Sequence, residues 1–397
     1  MKYDVIIVGA GPAGATTARI CARRGLKVAL VEKEALPRYK PCGGGVSQKA
    51  LQLIPQVPSQ LVEQNVYAFR FVAPTLDSVE FRSDSLIGVT TFRDKFDKFL
   101  VDQAVAAGCD VINATVISVK PYQDSISCVL DDQTSHAGKL VVGADGANGV
   151  VARSVGIRAG WNRNEIGICF EGELEVSRRD LETRVKPDTL ELHFMRIPFG
   201  YGWVFPRRKS LAVGIGGLAE AFSQPYRAFQ RFTAKIRHTL NIPTNITNIH
   251  GHIIPAGGIR RKIVTHRVIL VGDAAGFVDP LTGEGIYYAM KSGQLAAKTC
   301  LQAFEKKRFD SRFLQRYSSA CYRSFGKDLG LAFRLAHLVH GNLDFFFAIL
   351  KQLSDSGESI RILSAEESSY RKLICRTILH LPAALPSLIK AIVKNVL

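Results

Sequence analysis

At 397 residues the chain has room for two or three domains of ordinary size (~100–200 residues each). Hydrophobic residues make up 47% and charged residues 22%, which excludes a disordered or fibrous chain. Lys and Arg number 52 against 35 Asp and Glu, a net charge of +17 that is silent on the fold but favours anionic partners: nucleic acid, an acidic membrane, an acidic protein or a phosphorylated substrate. The eight cysteines (Cys21, Cys42, Cys109, Cys128, Cys169, Cys300, Cys321 and Cys375) lack the CxxC-type spacing of zinc and iron–sulfur sites, and no metal is expected. A chain this long without a secretion signal is not expected to carry a disulfide framework.

Residues 3–8 (YDVIIV) are a β-branched run typical of a buried parallel strand. With that strand starting at Tyr3, no signal peptide is expected. No apolar run reaches the ~18 residues that span a bilayer. The chain therefore reads as cytoplasmic, with peripheral membrane association left open. Gly-Ala-Gly-Pro-Ala-Gly at 9–14 opens a helix to Arg24 that ends at Gly25. A second strand, Lys27 to Val31, closes on Glu32 and completes a βαβ start. The spacing of Phe96, Phe99, Leu100, Ala104 and Ala107 predicts a helix over 93–107. Short strands are expected around 109–119, 126–130 and 139–143, and 166–216 reads mostly as strands. An amphipathic helix is expected at 225–240, a buried strand at Val268 to Val271, and a long helix from near Gly283 to about Phe304. Beyond that the pattern is helical to the end. The absence of a linker or repeat implies that any second domain is interleaved with the first.

GxGxxG at Gly9, Gly11 and Gly14 is weak evidence alone, but here it lies between a strand and a helix, with an acid 18 residues after Gly14. Gly9 permits the tight turn, Gly11 lets backbone approach a pyrophosphate, and Gly14 allows close helix–strand packing. The helix N-terminus offers free N–H groups to phosphates, and Glu32 is placed to accept hydrogen bonds from ribose hydroxyls. The motif itself does not choose between NAD and FAD.

Two further strand-end turns, Val-Val-Gly-Ala-Asp-Gly-Ala-Asn (141–148) and Ile-Leu-Val-Gly-Asp-Ala-Ala-Gly (269–276), bring out a resemblance. The chain resembles the flavoprotein superfamily typified by p-hydroxybenzoate hydroxylase. On Lys40-Pro41-Cys42-Gly43-Gly44-Gly45, on Tyr201-x-Trp203-x-Phe205-Pro206 and on Val213-Gly214-Ile215-Gly216 it resembles the geranylgeranyl reductase family. The resemblance implies an α/β protein. A Rossmann-like FAD-binding domain (1–70, 91–162 and 262–305) would be interleaved with a mostly antiparallel β-sheet substrate domain (71–90 and 163–261). A helical C-terminal region (306–397) would follow. It implies FAD as cofactor, with Ala13 and Glu32 at the phosphate and adenosine ribose, Arg93 near the pyrophosphate and Val116 offering a backbone contact to adenine. Asp273 matches the acid at the ribityl or phosphate end. Gly285 and Ile286 match backbone donors near the pyrimidine edge of the flavin, where a helix N-terminus stabilises an anionic reduced ring. Asp145 is either a functional acid or a structural turn acid.

The three glycines after Cys42 clear side chains from one wall, so that backbone can lie against a flavin ring with Cys42 beside it. Cys42, Tyr201 and Trp203 are the candidate catalytic residues. Gly43, Gly44 and Gly45 join the cofactor set. On a strand, Tyr201, Trp203 and Phe205 share one face, as an isoprenoid pocket wall or as plain core. Reducing an isolated alkene develops positive charge on the more substituted carbon, which aromatic faces stabilise in a dry pocket.

Between Arg196 and Leu270 the only acid is Glu220, and this segment supplies +11 of the net +17. Arg207-Arg208-Lys209 suits a diphosphate head group, an acidic electron donor such as ferredoxin, anionic lipid, or merely solvent. No nucleic-acid module is visible. The tail from Leu373 to Leu397 either lies on a membrane surface or caps the domain. The expected function is FAD-dependent reduction of geranylgeranyl double bonds, with NADPH, NADH or reduced ferredoxin as donor. A monooxygenase of the same superfamily is the alternative. A non-catalytic, escort-type prenyl binder is the third reading.

Overall fold

The computed structural model describes residues 3–355 and 370–371, so the expectation for the tail from Leu373 lies outside the described residues. The chain forms two units, one of residues 1–40, 93–162 and 254–327, the other of residues 41–92, 163–253 and those described from 328 on.

In the first unit, the strand order is Val264–Thr265, Val268–Leu270, Leu140–Gly143, Val5–Val8, Val28–Glu32, Asp110–Asn113. All neighbours are parallel except the short Val264–Thr265 hairpin partner. The sheet grows in both directions from Val5–Val8, so its strands end in carboxyl-side turns on either side of a topological switch point, where α/β sheets bind ligands. Continuous burial of Val5–Val8, Val28–Glu32 and Leu140–Gly143 follows from helices packing on such a sheet. Helix Pro12–Arg23 packs on both Arg93–Ala106 and Ile286–Glu305. A three-stranded antiparallel sheet (Val116–Pro121, Ile126–Leu130, Ser135–Gly138) completes the unit's β-structure. The long helix expected from near Gly283 starts at Ile286, because Gly283 takes the left-handed conformation (φ 73°) and Gly285 is the N-cap.

The second unit is built on a seven-stranded sheet in the order Ile246–Pro255, Ile166–Glu175, Ser210–Leu218, Tyr201–Pro206, Thr189–Phe194, Ala68–Val72, Ser78–Arg82. Thr189–Phe194 and Ala68–Val72 run parallel, and the central neighbours are antiparallel. Helix Pro225–Leu240 covers one face, packing Phe229, Phe232 and Ile236 against Val204, Val213 and Ile215. Burying each of these side chains contributes roughly 1.5–3 kcal/mol. On the other face Phe194 meets Phe346, Phe347 and His340 from helices Leu343–Asp355 and Lys327–Gly341.

The boundaries expected at 91 and 262 fall at 93 and 254, and two others move further. Residues 41–70 belong with the second unit, because Ala68–Val72 pairs with Thr189–Phe194 and Gly45–Ser47 pairs with Gly88–Thr90. Residues 306–327 stay with the first, where helix Ser311–Cys321 packs on Ile286–Glu305 and on the strand Val264–Thr265. A short helix, Arg178–Arg184, interrupts the strand-rich stretch. Ser177 caps it by accepting the Asp180 N–H at 3.0 Å, and Leu181 is its one buried residue. With a single apolar anchor it leaves no periodic signal. Among the described residues no helix is long and apolar enough to cross a membrane.

Candidate functional site

The nucleotide end lies at the carboxyl ends of the first unit's strands. Gly9 takes φ 101°, and a Cβ there would fall 2.3 Å from the Ala144 carbonyl oxygen. A Cβ on Gly14 would fall 1.9 Å from the Gly9 oxygen, so this glycine lets the helix close onto its own turn. Gly11 is different: its φ of −74° suits any residue, and the nearest atom to an added Cβ is Arg38 Nη2 at 3.9 Å. Its missing side chain leaves open space at a helix start that has proline in its first turn, no side-chain cap and no acid there. Free N–H groups and the positive end of the helix dipole face that space. Ala13 is held from behind, since a Cβ on Gly293 would strike its carbonyl oxygen at 2.6 Å.

Glu32 is buried at the end of Val28–Glu32. Its Oε2 accepts the Ala10 N–H at 2.8 Å and its Oε1 accepts the Glu34 N–H at 3.2 Å. Arg38 Nε lies 3.5 Å from the same carboxylate. Asp97, 0% exposed, joins two guanidinium groups: Arg93 donates to it at 2.8 and 2.9 Å and Arg38 at 3.0 Å. This buried carboxylate aims both arginines and offsets part of their charge. Burial lowers the Lys40 ammonium below its ordinary value, opposed by Asp273. Burial raises the Asp273 carboxyl, opposed by Lys40 and Arg93. A Cβ on Gly285 would lie 3.8 Å from Asp273 Oδ1, so the start of the helix at Gly285 and Ile286 adjoins that acid. Val116 opens its strand, buried, just after Asn113 and Ala114, which bond the Glu32 carbonyl at 3.0 Å. The residues present fit FAD: an acid for ribose hydroxyls, an open glycine at a helix N-terminus, and Arg38, Lys40 and Arg93 for a pyrophosphate. Asp145 is a structural acid, whose Oδ2 accepts the Val151 N–H at 2.8 Å at the start of helix Val151–Ser154.

The second cluster belongs to the other unit. Tyr201, Trp203 and Phe205 share the sheet face away from the Phe229–Phe232 core. Opposite them stand Gly216, Gly214 and Ala212, the next strand's small residues, and opposite those stand Cys169, Glu171 and Glu173. The glycines have a steric cause: a Cβ on Gly214 would lie 2.2 Å from the Trp203 ring. The Cys42 loop lies on the same face. A Cβ on Gly43 would meet Phe205 at 2.8 Å and Trp203 Nε1 at 3.1 Å, and one on Gly45 would meet Phe205 at 3.3 Å. Gly44 takes φ 79°, with the Thr91 carbonyl oxygen 2.2 Å from where its Cβ would be. The Gly44 N–H donates to Cys42 Sγ at 3.4 Å. One indole, a phenol and a phenyl ring, with the Cys42 loop laid against them, thus form an aromatic wall bordered by Cys169, Glu171 and Glu173.

The basic segment is not one surface. Arg207 is 3% exposed, ion-paired to Glu173 at 3.0 Å and stacked 4.2 Å above the Phe92 ring. Arg208 donates to the Val62 carbonyl at 2.6 Å, and buried Arg267 donates to the carbonyls of Gln123 and Lys139. Arg207 is thus an internal cation, which removes it from the Arg207-Arg208-Lys209 cluster expected to face a ligand or solvent, whereas Arg208 and Lys209 are exposed. Arg227, Arg231 and Lys235 do form an exposed stripe on Pro225–Leu240. Sequence reasoning missed Arg38, Asp97, Glu171 and Glu173 as site residues. Lys40 beside Cys42 was visible as part of a motif, but nothing local marks the others.

A family profile described as an FAD binding domain matches residues 2–327. The protein is therefore an FAD-binding-domain flavoprotein. A digeranylgeranylglycerophospholipid reductase of Methanothermobacter thermautotrophicus is 30% identical over 86% of this chain and 89% of that one. The chloroplastic geranylgeranyl diphosphate reductase of Nicotiana tabacum is 31% identical over 79% of this chain and 69% of that protein. An uncharacterized protein of Methanosarcina barkeri is 31% identical over 88% of this chain and 87% of its own. Within the flavoproteins, the chain belongs to the geranylgeranyl reductase family. The fold matches a geranylgeranyl bacteriochlorophyll reductase-like protein of Thermoplasma acidophilum, with a TM-score of 0.81, 24% identity and 99% of each chain covered. A flavin-dependent brominase shares the fold at a TM-score of 0.73 and 20% identity, over 91% of this chain and 93% of the other.

Proposed function

We propose that this protein is an FAD-dependent reductase that saturates double bonds of geranylgeranyl chains carried on a diphosphate, a glycerolipid or a pigment. The observation that carries the reading is the aromatic wall of Tyr201, Trp203 and Phe205, whose Trp203 ring is received by Gly214 on the neighbouring strand, with the Cys42 loop laid against it. FAD, when bound, supplies hydride chemistry. Glu32, Gly11, Ala13, Arg38, Arg93 and Asp273 are the residues that would hold it, with Val116 and the Gly285–Ile286 helix start offering backbone contacts.

The wall has two tasks. It excludes water from a polyprenyl chain, and its ring faces stabilise positive charge developing on the substituted alkene carbon. Cys42 is the one thiol on this face held in a glycine-rich loop, and it shapes the pocket or moves a proton there. The donor is NADPH, NADH or a reduced ferredoxin. The exposed stripe of Arg227, Arg231 and Lys235 suits either an acidic donor protein or an anionic membrane surface.

The test is an anaerobic turnover. Dithionite-reduced holoenzyme is mixed with geranylgeranyl diphosphate, then with geranylgeranylated lipid and pigment, while flavin absorbance and prenyl mass are followed. Flavin reoxidation with hydrogens gained in pairs is the expected result. Failure with every prenyl substrate, together with a hydroxylated product when oxygen is admitted, would replace this reading with a monooxygenase. A purified protein without stoichiometric flavin would point to a non-catalytic binder.

A further inference from the structure

We infer that Glu171 and Arg207 are positioning residues that grip the backbone of Cys42 on both sides of its Cα. The Cys42 N–H donates to Glu171 Oε1 at 2.5 Å, and the Cys42 carbonyl accepts from Arg207 Nη2 at 3.3 Å. Both gripping groups are buried: Glu171 is 5% exposed and Arg207 3%. Each is fixed by something other than Cys42. Glu171 and Glu173 project two residues apart from strand Ile166–Glu175, on the side opposite Gly214 and Ala212. Glu173 holds the other edge of the Arg207 guanidinium at 3.0 Å, and the Phe92 ring lies under its face.

Hydrogen bonds to charged groups are shorter and stronger than neutral ones, and a low-dielectric setting strengthens them further. A carboxylate on the N–H of the Pro41–Cys42 peptide and a guanidinium on the C=O of the Cys42–Gly43 peptide therefore fix the two peptide planes that flank the Cys42 Cα. The loop beyond is fixed too: the Thr91 N–H donates to the Gly44 carbonyl at 2.9 Å, and the Gly44 N–H faces Cys42 Sγ at 3.4 Å. The Cα–Cβ bond of Cys42 thus has one direction in which to point, and the Gly44 N–H holds its Sγ. The glycines alone provide closeness; the ionic grip provides order. Glu173 is the support that keeps Arg207 from being a buried, unpaired charge.

This role rests on the reductase reading, and two readouts keep the two apart. Peptide-resolved alkylation of Cys42 by iodoacetamide in the full-length holoenzyme reports the grip without any substrate. The prenyl-reduction assay reports its catalytic use. The variants are Glu171→Gln, Arg207→Lys, Arg207→Met and the double change Arg207→Met with Glu173→Gln, which removes the ion pair as a whole and avoids an orphaned carboxylate. Cys42 alkylation is expected to rise at least about fivefold in Glu171→Gln and in the double variant. In the same proteins kcat is expected to fall about tenfold or more, KM to stay within about threefold, and FAD content to match the parent. Arg207→Lys should recover part of kcat, because one cationic donor remains. Unchanged alkylation overturns the grip. Faster alkylation with unchanged kcat in an active parent overturns its role in positioning. A parent inactive on every prenyl substrate overturns the reductase reading and this role with it.

Discussion

Two glycine-rich loops serve the two units, and they are glycine-rich for different reasons. In the loop of Gly9, Gly11 and Gly14 the demand is made by backbone: a Cβ at Gly9 would strike the Ala144 carbonyl oxygen at the end of the neighbouring strand, and one at Gly14 would strike the Gly9 oxygen. Only Gly11 has room beside it, with Arg38 Nη2 the nearest atom at 3.9 Å, and that room is what a pyrophosphate needs. In the Cys42 loop, Gly43 and Gly45 are required by aromatic rings some 160 residues further along the chain, and Gly44 by its left-handed backbone against Thr91. The first loop answers to the backbone of its own turn and to that of the adjoining parallel strand, Leu140–Gly143. The second acquires its meaning only once a sheet has brought Phe205 and Trp203 to it.

The harshest test of this contrast is Gly9→Ala. Positive φ and a backbone clash together should cost more than ~3 kcal/mol, so the protein should purify without flavin or not fold, as read by absorbance ratio and thermal melting. Gly44→Ala meets a similar backbone obstruction, but in the other loop. It should keep far more FAD than Gly9→Ala while losing about 100-fold in prenyl reduction, equivalent to about 2.7 kcal/mol. Equal flavin loss in both would erase the distinction between the loops.

Acid separates the units in another way. Burial lowers His340, which packs between Phe194 and Phe199, from the ordinary 6.5 to about 4. Its folded form favours the neutral ring, so that stabilisation is complete above 6.5 and is lost as pH falls toward about 4. The second unit's helical cover should therefore loosen across that window, by up to about 3 kcal/mol. His340→Phe should flatten the decline, measured by hydrogen exchange of the Lys327–Gly341 helix. The gentlest test is Gly11→Ala. Its conformation admits alanine and its surroundings have room, so stability should move by less than about 0.5 kcal/mol. FAD affinity should nonetheless weaken about tenfold, which titration of the apoprotein would measure.

What was legible in the sequence follows the same division. The βαβ start, the helix at 93–107, the strands of Ile126–Leu130 and Leu140–Gly143 and the amphipathic helix Pro225–Leu240 all carry a periodic or turn signal within their own residues. The shared face of Tyr201, Trp203 and Phe205 was readable from alternation alone. Partners were not. Asp97 looks like an ordinary helix acid until Arg38 and Arg93 converge on it. Arg207 looks like surface charge because two basic residues follow it, yet Glu173 and the Cys42 carbonyl hold it inside. A charge's burial is decided by groups distant in the chain, and no local pattern records them.

The strand Tyr201–Pro206 carries two messages on alternate letters: Tyr201, Trp203 and Phe205 for the wall, Gly202 and Val204 for the core against Phe232. Because the period is two, deletion of a single residue there would exchange the messages and turn indole and phenyl rings onto the helix. Substitutions along this strand can be absorbed one face at a time, whereas a change in its length cannot. Variation in length among related chains should therefore collect in the turns around the strand and spare its six residues.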